Sequence, residues 1–216
     1  LISVLITIWG IRLTYNFARK GGYGNVEDYR WQEVKKGFKN KFLWQFFNFL
    51  FISFYQNLLF VLFTLPVYVS YKFKGVPLNT LDLIATVFFI CLLILETIAD
   101  QQQWNFQQKK RALMGTNVNL TGDFKRGFFT GKLFKYSRHP NFFAEISMWW
   151  MVYLFSIAAT GSLFHWSITG TVLLTLLFQG STSFTEKLSS RKYPDYKLYQ
   201  KTTSRIIPWF SKGIPD

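Results

Sequence analysis

The hydrophobic residues of this chain lie in long unbroken runs, which is not the alternating pattern of half-buried strands. No charged residue occurs between Lys41 and Lys72, a stretch of thirty positions rich in Phe and Leu. About 20 apolar residues are enough for a helix to cross a bilayer. This run therefore predicts a transmembrane helix.

Comparable apolar runs predict three more full spans at roughly residues 78–99, 142–160 and 163–184. The apolar pattern of residues 1–13 predicts the latter half of another span. They lack the charged start and cleavage site of a signal peptide, so we expect that residues precede Leu1 or were removed. The predicted fold is an all-α polytopic transmembrane helix bundle with four full spans, one N-terminal partial span and helical loops on the inner face.

Charge supports this topology. Half of the 216 residues are hydrophobic, yet the chain carries 25 Lys and Arg against 11 Asp and Glu. Basic residues concentrate in loops that are not translocated. If the partial span at residues 1–13 ends on the inner face of the membrane, 23 of the 25 basic residues lie on that face and only Lys72 and Lys74 on the outer one. The basic excess therefore requires no nucleic acid as a partner.

Several classes of site are absent from the sequence. Cys91 is the only cysteine, so we expect neither a disulfide framework nor a thiolate metal centre. The glycine cluster at residues 21–24 follows no strand and is no dinucleotide fingerprint, and there is no P-loop. These observations exclude a soluble dinucleotide-binding domain.

A polar stripe begins near the inner end of the second full span. Glu96 and Asp100 are four residues apart, and Gln103 and Gln107 continue the same helical face into the basic loop. Ionisable residues within spans are costly, so they invite a functional interpretation. A solvated helix end remains the alternative for Gln103 and Gln107, whereas the apolar turns before Glu96 favour a function for it.

Residues 136–145 place cationic, imidazole, amide and carboxylate groups directly before an apolar helix. His139-Pro140 predicts a break followed by a helix start, and the backbone N–H groups of that start, with Arg138, would face an anion such as a cofactor phosphate. Glu145 lies one turn inside the apolar run, where burial favours a neutral, hydrogen-bond-donating carboxyl group. A structural carboxylate paired with an Arg is the alternative.

Three motifs and the tail carry a family resemblance. The segment Tyr136-Ser-Arg-His-Pro-Asn-Phe-Phe-Ala-Glu145 resembles the Y-S-R-H-P-N-Y-F-G-E signature of the DUF1295 family, in the steroid 5-alpha-reductase C-terminal superfamily. Residues 27–32 resemble its G-E-D-Y-R-Y-Q motif, with Val26 in place of the glycine, and residues 96–101 resemble E-x-x-A-D-x-Q. The tail resembles the family ending at Thr185-Glu186-Lys187, Tyr193-Pro194-Asp195-Tyr196 and Ile207-Pro208-Trp209.

The resemblance implies a single membrane domain over residues 1–216, with its cofactor-site half at about residues 96–210. It implies an integral, multi-pass protein of the endoplasmic reticulum or mitochondrial inner membrane that uses NADPH to reduce a carbon–carbon double bond in a steroid or other lipid. Glu145, helped by Tyr29, would act on the substrate carbonyl. The implied cofactor-binding residues are Glu96, Asp100, Arg126, Arg138, His139, Asn141, Tyr193, Tyr196 and Arg205; no metal is implied.

Two substitutions depart from the family signature and keep other functions open. Ala144 replaces a glycine and Phe142 a tyrosine. A non-catalytic accessory subunit of a larger membrane complex, for example a respiratory one, would tolerate both changes. A lipid or isoprenylcysteine-type methyltransferase that uses S-adenosylmethionine is the other alternative. Membrane lipids are expected partners in every case.

Overall fold

The structure, a computed structural model, describes residues 1–24, 29–116 and 119–211, without the side chain of Tyr29. Within these residues the chain forms helices and one isolated β-bridge, and no strand. This confirms the all-α prediction. The helices are α1 Ile2–Arg19, α2 Tyr29–Lys36, α3 Lys41–Phe47, α4 Gln56–Lys72, α5 Thr80–Leu113, α6 Gly122–Arg126, α7 Pro140–Thr160, α8 Ile168–Lys192 and α9 Tyr196–Thr202.

Three helices in the described residues are long and apolar enough to cross a membrane: Lys41–Lys72, Thr80–Leu113 and Pro140–Thr160. The first joins α3 and α4 through a π-helical segment, Asn48–Tyr55. They coincide with three of the four predicted full spans. Helix α8 occupies the place of the fourth as a continuous 25-residue helix, but it is not among the three, so the count of four stays a prediction.

The predicted start of the last span, Leu163, is wrong, because α8 begins only at Ile168. The preceding residues form a turn that side chains hold in place. The hydroxyl of Tyr153 donates to the Leu163 carbonyl at 2.9 Å, and Ser156 Oγ lies 3.1 Å from the imidazole Nε2 of His165. Such contacts come from another helix, so hydropathy along the chain does not reveal them.

The described chain divides into two compact units. Unit 1 comprises Leu1–Val87 and Trp149–Leu176. At its core the buried Trp149 packs edge-on against Trp9, with ring centroids 5.1 Å apart, and lies 4.2 Å from the ring of Phe63. This unit also holds a cavity of about 610 Å³, lined mainly by apolar side chains of α1, α4, α7 and the loop between α4 and α5, with Asp82 of α5. None of the predicted site residues lines that cavity.

Unit 2 comprises Phe88–Met148 and Leu177–Asp216, and it contains nearly all the predicted site residues. Its aromatic cluster consists of Phe128, Tyr196 and Tyr199, with Tyr193 packed against it. A parallel bridge joins Ser137, just before α7, to Ser204, just after α9. The C-terminal segment is therefore tied to the start of a predicted membrane span.

Candidate functional site

The acidic end of the polar stripe is buried. Helix α5 runs without interruption past the predicted span end to Leu113, so Glu96 and Asp100 lie one turn apart on one face. Their exposed fractions are only 5% and 7%, and Gln103 and Gln107 further along are half-buried. The predicted helical stripe is thus confirmed.

Asn141 connects this stripe to α7. Its amide Nδ2 donates to Asp100 Oδ1 at 3.4 Å, although the two residues are 41 positions apart. Asn141 stands in the first turn of α7, and Glu145, half-buried, lies one turn further on the same face. The structure therefore brings together the two segments that the sequence indicated, and it places an amide beside a carboxylate.

The predicted break at His139-Pro140 is confirmed, because α7 begins at Pro140. Proline suits the first turn of a helix, where its missing N–H would have no partner. The N–H of Phe143 bonds the His139 carbonyl, which closes that turn. Ala144, which replaces the family glycine, is completely buried, so its methyl group fills interior space.

Arg138 is engaged inside the protein. Its Nε and Nη2 donate to the two carboxylate oxygens of Glu186, at 2.6 and 3.0 Å. Its Nη1 donates to the carbonyls of Gln200 and Thr203. Four of the five guanidinium N–H groups are thereby used. Arg138 holds α8, α9 and the start of α7 together, and only one N–H is left for the predicted phosphate contact.

Glu186 is the centre of this polar network. It also accepts from Gln200 Nε2 at 3.0 Å and lies 3.1 Å from His139 Nε2. Burial raises the pKa of Glu186, but the hydrogen bonds from His139, Arg138 and Gln200 outweigh burial and lower the pKa to about 2. Its carboxylate is therefore ionised at neutral pH.

Sequence reasoning did not select Glu186 as a site residue. A usable signal existed, because Glu186 is the only acidic residue between Glu145 and Asp195 and it follows an apolar run. A lone carboxylate at that place requires a cationic partner when it is buried. The sequence does not show which cation provides it.

Lys110 is a second residue that the sequence did not single out. Its Nζ donates to the Gly127 carbonyl at 2.6 Å and to the Tyr193 hydroxyl at 3.2 Å, and it lies 5.0 Å from the centroid of that ring. Gly127 has φ +84°, and a Cβ there would collide with the Tyr193 ring. Tyr193 is thereby held against α5 and the loop after α6.

The three remaining residues predicted to bind the cofactor each have partners of their own within the protein. Tyr196 is buried in the aromatic cluster beside Tyr199, whose own pKa burial raises. Arg126 pairs with Asp123 at 3.6 Å. Arg205 donates to Ser183 Oγ at 2.8 Å and to Gln179. Their roles toward a cofactor remain predictions.

The Tyr29 side chain lies outside the described part of the structure, as do residues 27 and 28 of the same motif. The catalytic role of Tyr29 therefore stays a prediction. Among the described residues, no group of three or more His, Cys, Asp or Glu side chains could hold a metal ion.

Comparison with known proteins assigns the chain to a family. The profile of the DUF1295 family, described as proteins of unknown function, matches residues 1–203. An uncharacterized protein of Schizosaccharomyces pombe is 38% identical over 219 aligned positions, which cover 96% of this chain and 62% of that protein. The chain thus spans about three fifths of the length of this curated relative. No solved structure matches it. On the extent of the profile match, the chain belongs to the DUF1295 family.

Proposed function

We propose that the protein is a membrane-embedded, NADPH-dependent reductase of a carbon–carbon double bond in a steroid or other lipid. One observation carries the proposal: Asn141 donates to Asp100, which joins the buried acidic stripe of α5 to the first turn of α7. Glu145 lies one turn beyond Asn141. Carboxylate and amide groups thus converge at the end of two apolar helices, where a dissolved cofactor and a membrane lipid can both arrive.

The residues present fit a nicotinamide dinucleotide. The carboxylates of Glu96 and Asp100 can accept hydrogen bonds from ribose hydroxyls or a carboxamide, and the Asn141 amide offers both donor and acceptor atoms. Lys110 and Arg126, both half-buried in unit 2, provide cations for the phosphates. This combination of acceptors and cations corresponds to the two polar portions of the cofactor.

Glu145 would act on the substrate. Its carboxyl group would donate a hydrogen bond to the carbonyl oxygen of an α,β-unsaturated lipid and stabilise the charge that develops there, an effect of about 3 kcal/mol in a dry site. When bound, NADPH would supply a hydride to the β carbon, and a solvent proton at the α carbon would complete the saturated carbonyl product and NADP⁺.

Ligand protection tests the proposal. We expect NADPH to raise the melting temperature of the detergent-purified protein and S-adenosylmethionine to leave it unchanged. Replacing Asn141 with Leu should weaken NADPH binding at least ~10-fold, because the site loses the Asn141 amide and its hydrogen bond to Asp100. The control is Thr97→Ala, an exposed position of α5 between Glu96 and Asp100.

Other outcomes would overturn the proposal. Protection by S-adenosylmethionine alone would indicate a methyltransferase. Protection by neither compound, together with co-migration in a large complex after mild detergent extraction, would indicate an accessory subunit.

A further inference from the structure

The segment after α9 exposes three large apolar side chains. We refer to residues 203–211 as the 203–211 loop. Within it Ile206 is buried, whereas Ile207, Trp209 and Phe210 are 66%, 70% and 88% exposed. Phe210 has the highest exposed fraction of all large hydrophobic side chains in the described chain. Exposed apolar groups in such a cluster commonly mark an interaction surface.

The loop that carries these exposed side chains has a fixed backbone, because hydrogen bonds join it to neighbouring segments along its length. The Trp209 N–H donates to the Tyr136 carbonyl at 2.9 Å. Ser137 Oγ donates to the Ile206 carbonyl at 2.7 Å, and Ser211 Oγ donates to the carbonyl of Thr202, in α9, at 3.1 Å. The backbone is thus held in place while the apolar side chains point outward.

Two further backbone hydrogen bonds indicate the depth of the loop in a membrane. The N–H groups of Arg138 and His139 donate to the carbonyls of Ser204 and Arg205, at 2.9 and 3.1 Å. Arg138 and His139 directly precede α7, a helix that is apolar enough to cross a bilayer. The loop therefore begins at the level where lipid headgroups meet the hydrocarbon, which is the level that Trp side chains favour.

Charge around the loop suits an anionic surface. The loop itself and the segment that it bonds before α7, residues 136–139, contain no acidic residue. Lys135, next to Tyr136, and Lys201, in the last turn of α9, are exposed. Lysines beside interfacial aromatic residues are attracted to anionic headgroups.

We propose that the 203–211 loop is a membrane-interface anchor, with Ile207, Trp209 and Phe210 inserted among the headgroups of a leaflet that contains anionic lipid. The basic flanks and the depth favour this occupant over a second protein. The inference does not depend on the reductase proposal, since neither cofactor nor substrate enters it.

Spin-label accessibility can test the anchor in the full chain. In a Cys91→Ser background, Phe210→Cys would be labelled and reconstituted in vesicles of phosphatidylcholine and phosphatidylserine at about 3:1. Ile94→Cys, exposed within the second full span, serves as the lipid reference. Thr116→Cys is exposed and follows the end of α5, which extends about 21 Å beyond Ala99, so it serves as the water reference.

We expect the ratio of oxygen accessibility to nickel-chelate accessibility at position 210 to lie well above that at Thr116, toward the value at Ile94. A ratio equal to that at Thr116 would overturn the proposal, because the loop would then stand in water. Low accessibility to both reagents would also overturn it, since a protein surface would then cover the loop.

The anionic part of the proposal has its own test. The label at position 210 should report a deeper position in the mixed vesicles than in pure phosphatidylcholine, and the double variant Lys135→Gln and Lys201→Gln should lose at least half of that difference. An equal depth in both lipids, or no effect of the double variant, would refute a role for anionic lipid.

Discussion

The guanidinium of Arg138 and the carboxylate of Glu186 form a two-point contact, with Nε–Oε1 and Nη2–Oε2 distances of 2.6 and 3.0 Å. Their side chains are only 7% and 6% exposed, and the residues are 48 positions apart. Within unit 2 this pair joins the residue before His139-Pro140 to the end of α8. The geometry of the candidate site therefore depends on a buried ion pair behind it.

Breaking this pair should strongly destabilise the protein. We expect Glu186→Gln to lower the free energy of unfolding by about 3–5 kcal/mol, because Arg138 keeps its charge and loses its counterion. Chemical denaturation in mixed micelles measures this difference. The control is Glu33→Gln, which removes a surface pair with Lys36 and should cost less than about 1 kcal/mol. Equal losses in the two variants would contradict the assigned importance of the buried pair.

The same carboxylate predicts a dependence of stability on pH. Its pKa is lowered from 4.5 to about 2, so the unfolded chain binds a proton that the folded chain does not bind between these values. Stability is therefore fully present above about pH 4.5 and is lost as the pH falls toward 2. Wild-type melting temperatures should fall across this window more steeply than those of Glu186→Gln, and parallel curves would show that another group is responsible.

Two glycines of α8 should respond oppositely to the same substitution. A Cβ at Gly170 would collide with the backbone of Leu62 in α4, whereas a Cβ at Gly180 meets nothing within 4 Å. We expect Gly170→Ala to destabilise the protein by at least about 2 kcal/mol through overpacking. Gly180→Ala should stabilise it by up to about 1 kcal/mol, because alanine is the better helix former. Thermal unfolding of both variants provides the comparison, and similar melting temperatures would show that α8 does not approach α4 this closely.

The proposed role of Glu145 makes a kinetic prediction. Glu145→Gln should reduce turnover of an α,β-unsaturated lipid by about 100-fold or more, because an amide N–H is a much weaker acid than a carboxyl group and its hydrogen bond stabilises the charge developing on the carbonyl oxygen less. NADPH binding, followed by its fluorescence, should stay within about twofold of wild type. Lys74→Gln, an exposed position between α4 and α5 that is not among the predicted site residues, is the control for turnover. Unchanged activity in Glu145→Gln would refute the assigned role.

Much of the candidate site could be predicted from local sequence. Four-residue spacing places Glu96 above Asp100 on any continuous helix, and proline after His139 marks a helix start in any context. The structure contains both features. The start of α8 at Ile168 could not be predicted in this way, because the turn before it depends on side chains of α7.

The sequence by itself determined the all-helical class, the three long apolar helices, the acidic stripe and the uneven distribution of basic residues, because each depends on residues close together in the chain. Only the tertiary structure decided that Arg138 faces Glu186, that Asn141 reaches Asp100 and that the 203–211 loop bonds the residues before α7. These contacts join positions 41 to 73 residues apart. No local pattern specifies such a pairing, because it depends on how the helices pack and on which buried polar groups the packing brings within hydrogen-bond distance.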